Sequence, residues 1–160
     1  MAELNEAVLA KIGVPNSLLK TDLEDIKPFL DKFKRFQESF NNYNVFVIAG
    51  NPTPYKDAFI ILMLKWFLYN KPEMSATYGP PTSTASLLVI PSIESVFTKG
   101  FEDYLPHLAK AMYEKRIIIC DTMSLEAFQL LVGKELFKYM SYSMGLIDLT
   151  LNNKTTIKEI

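Results

Sequence analysis

Cysteine and histidine each occur once, as Cys120 and His107, and only two of the 17 basic residues are arginine, Arg35 and Arg116. A single cysteine excludes an internal disulfide and any Cys-based zinc site. Cys120 lies in an apolar, strand-like run, where a buried structural thiol is expected. A single histidine excludes a His-rich metal site. A catalytic triad would have to use His107, which reads as part of a helix start, and no G-x-S-x-G elbow accompanies it. Two arginines are a thin supply for phosphate clamps, arginine fingers or base readout. Charge of one sign is also lacking: 17 basic against 18 acidic residues leave a net charge of −1. No basic excess advertises a nucleic-acid surface. The longest apolar stretch, Ala58 to Tyr69, is too short to span a bilayer and contains Lys65. The segment Met1 to Glu6 is acidic and does not read as a signal peptide. A soluble, cytoplasmic protein without cofactor or metal is expected.

What is present suits one domain with a real core: 160 residues, 49% hydrophobic, with 11 Phe and 8 Tyr. The chain divides into a helical lead-in (residues 1–43), an α/β core (44–151) and a tail (152–160). Residues 3–12 read as a short helix ending at Gly13. Residues 22–40 read as a helix capped by Asp22 and disturbed early by Pro28, with Ile26, Phe29, Leu30, Phe33 and Phe36 as its apolar stripe. Lys27, Lys32, Lys34 and Arg35 lie on the same helix, interleaved with Asp25, Asp31 and Glu38. Val45 to Ala49, Leu87 to Ile90 and Ile117 to Cys120 are buried strands. Ala58 to Tyr69, residues 101–114 and residues 124–140 are helices. Asn70 to Ser86 is mostly loop. Met144 to Leu151 and Thr155 to Ile157 are late strands. Short all-apolar strands alternating with helices predict a parallel sheet covered on both faces.

The strand Val45 to Ala49 runs into Gly50-Asn51-Pro52-Thr53-Pro54-Tyr55-Lys56-Asp57 and then an apolar helix. This is the layout of a phosphate-binding loop, G-x-x-x-x-G-K-[ST]. Gly50 and Lys56 hold their places, but the second glycine is Tyr55 and the Ser/Thr is Asp57. Such a loop cradles phosphate with backbone N–H groups and the positive end of its helix. Pro52 and Pro54 have no N–H to give. Tyr55 adds bulk and resists the dihedrals a glycine permits. The missing hydroxyl would have held Mg²⁺, and the Asp57 charge repels a triphosphate. Asp57 also reads as a helix N-cap, which needs no ligand. Gly50, Asn51, Tyr55 and Lys56 are therefore a vestigial phosphate site, or simply a Pro-rich strand–turn–helix connection.

Two later strands extend the pattern. Leu87 to Ile90 ends in Pro91-Ser92 where a Walker B strand would end in an acid, and the first acid, Glu94, falls in the following turn. Ile117 to Cys120 ends in Asp121-Thr122, where a sensor polar residue would sit. In this order of elements the chain resembles the bacterial replicative-helicase loaders, the DnaC/DnaI type of AAA+ ATPase. The likeness runs from about Gly13 to Leu151. Gly13-Val14-Pro15 with Thr21 to Asp25 looks like that family's opening segment, and Gly133 to Met140 looks like the helix carrying its arginine motif. The resemblance implies a reduced P-loop NTPase, AAA+-like core and a role in DNA replication. It does not carry over the chemistry. No arginine follows Arg116, the stretch between Lys56 and Leu87 shortens the usual second strand and helix, and these 160 residues hold no counterpart of the amino-terminal helicase-binding domain.

The first expectation is thus a pseudo-ATPase that binds a protein partner: a replicative helicase, its loader or a related replication factor. Its candidate contacts are Tyr139, Tyr142 and Met144, in the aromatic, Met-rich stretch that also holds Phe137 and Met140. The same stretch would serve as core. The alternatives are a nucleotide- or phosphate-binding switch built on Lys56, and a single-stranded nucleic-acid binder using Lys27, Lys32, Lys34 and Arg35.

Overall fold

The computed structural model describes residues 2–150. Five parallel strands form one sheet in the order β2-β3-β4-β1-β5: β1 (Val45–Ala49), β2 (Ala76–Tyr78), β3 (Leu87–Ile90), β4 (Ile117–Thr122) and β5 (Met144–Asp148). Every residue of β1 and β3 is buried. This follows from runs with no polar residue, which only a sheet covered on both faces can hide from water. One face packs on α1 (Ala2–Lys11), α2 (Leu30–Ser39) and α3 (Pro54–Asn70), through residues that include Leu9, Phe33, Phe36, Phe59 and Phe67. The other packs on α4 (Ile93–Tyr113), α5 (Leu125–Val132) and α6 (Lys134–Ser141), through Phe97, Leu108, Phe128 and Met140. Cys120 belongs to that second layer and is fully buried, as its apolar surroundings predict. The predicted fold class, a parallel sheet flanked by helices, is the one observed.

The α3 helix is apolar on nearly every side and buries ten residues, from Lys56 to Leu68. Phe36 and Phe46 pack edge-to-face at 5.4 Å, and Phe67 lies 5.7 Å from each, tying α2, β1 and α3 into one aromatic cluster. Arg116 Nη1 donates to Ser83 O (2.7 Å) and Ala85 O (3.2 Å), holding the loop that leads into β3. Among the described residues no helix is long and apolar enough to cross a membrane.

Several boundaries differ from those predicted, each for a local reason. Asp22 does cap its helix, reciprocally with Asp25. What it starts is a 3₁₀ segment, Leu23–Phe29, and the α-helix begins only at Leu30. Pro28 lacks the N–H and crowds the carbonyl four residues back, so an α ladder cannot run through it. Residues 124–140 are two helices, broken at Gly133 (φ +91°), a conformation open to glycine and little else. The helix predicted over 101–114 starts eight residues earlier, at Ile93, and kinks at Gly100, so His107 lies well inside it rather than at its start. The α3 helix starts at Pro54 with Thr53 as N-cap, so Asp57 is a first-turn residue and not the cap. The Asn70–Ser86 stretch contains the short edge strand β2, whose half-buried Ala-Thr-Tyr gives no apolar signal. The strand predicted at Thr155 to Ile157 and the tail lie outside the described residues.

Candidate phosphate-binding site

Gly50 to Lys56 sit at the carboxyl end of β1, with the end of β4 beside them in the register Ile48↔Asp121 and Ala49↔Thr122. That register places the carboxylate of Asp121 against the loop. Lys56 is only 2% exposed. Its ammonium bonds to Gly50 O (2.5 Å) and Thr122 O (2.6 Å) and pairs with Asp121 Oδ1 at 2.6 Å. A lysine ammonium has three protons. Here all three have acceptors, every one from the protein itself.

Three amides at the two ends of the loop, those of Gly50, Lys56 and Asp57, are also engaged. Gly50 N donates to Thr122 O (3.2 Å) and Met123 O (3.1 Å). Lys56 N donates to the Thr53 hydroxyl at 3.1 Å, and Asp57 N to Thr53 O at 3.3 Å. Pro52 and Pro54 have none to offer. Of the first helical amides, those of Lys56 and Asp57 are thus taken up by the cap residue Thr53. Gly50 itself (φ +139°) is held against the chain leaving β5: a Cβ there would lie 3.3 Å from the backbone of Leu149 and Thr150. Asn51 is exposed, and half-buried Tyr55 packs edge-on against Phe29 with ring centroids 6.1 Å apart.

The acids around the loop are committed as well. Asp121 Oδ2 accepts from Ser92 N at 3.1 Å, which holds the turn after β3, where Ser92 adopts a left-handed conformation (φ +47°). Glu94 is not in a turn but in the first turn of α4. Its carboxylate accepts from the Thr122 hydroxyl and, at 3.0 Å, from Met123 N. Among the described residues no group of acids, histidines or cysteines has the arrangement to hold a metal ion. Asp57 stays open to solvent, yet partial burial and then the charge of Asp121 raise its pKa, against the opposing pull of Lys56. Burial, then Asp57 and Asp121, pushes the Tyr78 phenol up to about 12. Burial raises the Cys120 thiol, which is therefore no thiolate nucleophile. In this arrangement the lysine is held by the protein's own acceptors, Pro52 and Pro54 offer no N–H, and the nearest side chains, Asp57 and Asp121, are acidic.

The protein-binding candidates scatter over the opposite layer. Tyr142 is 75% exposed. Tyr139 is partly exposed and lies 5.1 Å, ring to ring, from the exposed Tyr113 at the end of α4. Met144 is half-buried at the start of β5. Met140 is buried, and Phe137 packs on Phe128 at 6.2 Å, so both belong to the core. Of the basic group, Lys27, Lys34 and Arg35 are exposed, while Lys32 Nζ donates to Asp148 O at 2.5 Å. Sequence reasoning missed Asp121 as the partner of Lys56, Glu94 as a brace on Thr122, and Tyr113 as a neighbour of Tyr139. Only the first left a signal, a polar residue ending a buried strand beside the loop strand.

No family model matches the chain, and no curated protein matches it. Solved structures do. A DNA replication initiation factor superposes on 82% of this chain and 48% of its own, with a TM-score of 0.57 at 15% identity. AMPPCP-bound DnaA from Aquifex aeolicus gives 0.56 at 14% identity over 82% and 49%. Domain III of the Thermotoga maritima replication initiation protein DnaA gives 0.53 at 12% identity over 82% and 64%. The fold, a five-stranded parallel sheet flanked by helices, is shared with these structures. The chain spans about half the length of the first two.

Proposed function

We propose that this chain is a replication-linked AAA+-like domain that has lost nucleotide chemistry and works by binding another protein, a replicative helicase, its loader or a related replication factor. The replication context rests on its likeness in fold to DnaA and the initiation factor. The loss of chemistry is supported by one observation above all. The lysine that would meet a phosphate is buried and saturated by Gly50 O, Thr122 O and Asp121. A nucleotide would have to break three contacts in a desolvated site before making its own. The binding role draws on the exposed Tyr113, Tyr139 and Tyr142, a residue type enriched at protein interfaces.

Titration calorimetry with ATP and ADP in magnesium is expected to show no saturable heat, and phosphate release is expected to stay at the buffer rate. Saturable binding by the wild-type chain overturns the reading. In parallel, purified helicase and loader from the source cell are to be tested for complex formation, with Tyr139→Ala/Tyr142→Ala expected to weaken the complex.

A further inference from the structure

β5 is an edge strand: no strand lies beyond it among the described residues. Its inner side is fixed by Val45 N donating to Ser143 O (3.1 Å) and Leu149 N donating to Ala49 O (2.8 Å). With the register Val45↔Met144 to Ala49↔Asp148, the alternation of a parallel ladder turns the main-chain groups of Gly145 and Ile147 toward β1. Those of Met144 and Leu146 face outward. Leu146 is 48% exposed. Beside this edge, against α2, runs a groove of about 530 Å³ whose walls include Lys32, Arg35, Phe36 and Tyr43. Gly145 lets the Tyr43 ring pack close on the strand, since a Cβ there would stand 3.1 Å from it.

Two features set the chemistry of an occupant. The free main-chain donors and acceptors of an edge strand are a template for another extended chain. The groove wall is cationic, and its two cations differ. Lys32 is tied to Asp148 O, whereas the exposed Arg35 guanidinium has no partner among the described residues. The one acid at the edge, Asp148, has Oδ1 engaged by Thr150 N at 2.9 Å.

We propose that the β5 edge binds an extended segment of a partner protein as a sixth strand. That segment alternates acidic side chains toward Arg35 with apolar side chains toward Leu146. The inference rests on the protein-binding reading above and gives it a binding mode.

The test uses the full chain and a fluorescent peptide of alternating glutamate and valine, followed by anisotropy. Leu146→Pro removes an outward N–H that β1 does not use, a position where an edge strand tolerates proline. Arg35→Glu reverses the wall charge. Circular dichroism confirms that each variant is folded. Saturable binding is expected, weakened roughly tenfold or more by either substitution, with the lysine–valine peptide gaining affinity only for Arg35→Glu. No saturable binding, or binding indifferent to both substitutions, overturns the proposal. So does self-association of the free chain abolished by Leu146→Pro, which would make the edge a contact between copies. Tyr139→Ala/Tyr142→Ala is expected to leave the peptide affinity unchanged. If a helicase or loader complex depends on those tyrosines and ignores Leu146→Pro and Arg35→Glu, this inference fails while the protein-binding reading stands.

Discussion

The carboxyl end of β1 and the outer edge of β5 lie in the same sheet and treat their polar groups in opposite ways. At the first, Lys56, Asp121, Glu94, Thr122 and Thr53 satisfy one another, and the glycine of the loop is packed against passing backbone. At the second, the outward main-chain groups of Met144 and Leu146 and the Arg35 guanidinium have no hydrogen-bond or ion-pair partner among the described residues, and Leu146 is half-exposed. A buried polar group without a partner is costly, so a site that has ceased to bind must find internal partners or lose its polar residues. A site that still binds keeps its partners outside. That contrast is the reason the proposed contacts are placed on the edge and the tyrosine face rather than in the loop.

The most severe way to break this comparison is to remove Lys56. Lys56→Met leaves Asp121 largely desolvated without a counter-ion, and deleting one member of a buried pair costs roughly 3–5 kcal/mol. Chemical denaturation is expected to show that loss. Lys56→Met/Asp121→Asn should recover most of it, because asparagine still accepts from Ser92 N while the stranded charge is gone. A lysine kept for phosphate would behave differently, with a single substitution near neutral for stability.

A smaller effect is expected from Tyr78, on the rim of the closed region. Its phenol is raised to about 12 by burial first and then by Asp57 and Asp121. The folded state holds this proton more tightly than the unfolded chain, whose phenol titrates near 10. The contribution is complete below pH 10 and is lost as pH rises through 12, on the order of 1–2 kcal/mol once solvent screening of this half-buried group is allowed for. Denaturation midpoints at pH 9 and pH 11.5 are expected to converge in Tyr78→Phe relative to wild type. An equal alkaline loss in both proteins would mean that neither burial nor the carboxylates make this phenol hold its proton more tightly in the folded state.

How much of this was legible in the sequence depended on whether the signal was local. β1, β3 and most of β4 are uninterrupted apolar runs, and burial on both faces is the only state that suits them, so their positions followed from sequence. The breaks at Pro28 and Gly133 obey local rules, but the apolar stripes run on across both residues and masked them. β2 has three half-buried residues between proline- and glycine-bearing loops and exists only because β3 offers a ladder. The loop's departures from a phosphate cradle were plain in the residue types. That Lys56 is held by Asp121, 65 positions along the chain (121 − 56), is a product of strand register and could not be read from spacing. The edge groove was equally hidden, because it depends on which strand ends the sheet.

The smallest expected effect sharpens the comparison at its one loose point. Asp57 is the acid near the loop that stays open to solvent, and its pKa is raised by partial burial and by Asp121 more than Lys56 lowers it. A raised folded pKa means a contribution present below 3.8, the unfolded value, and lost as pH rises through the folded one. At neutral pH the ionised carboxylate is therefore a mild liability. A first-turn acid normally gains about 0.3–1 kcal/mol from the helix dipole. Here Lys56 N and Asp57 N are already bonded to Thr53, which leaves less of that gain to collect. Asp57→Asn is expected to raise the melting temperature slightly at pH 7 and to leave it unchanged at pH 3, where both side chains are neutral. A lower melting temperature at pH 7 alone would mean that the helix end still attracts an anion, and the loop would then not be closed in the sense argued from Lys56.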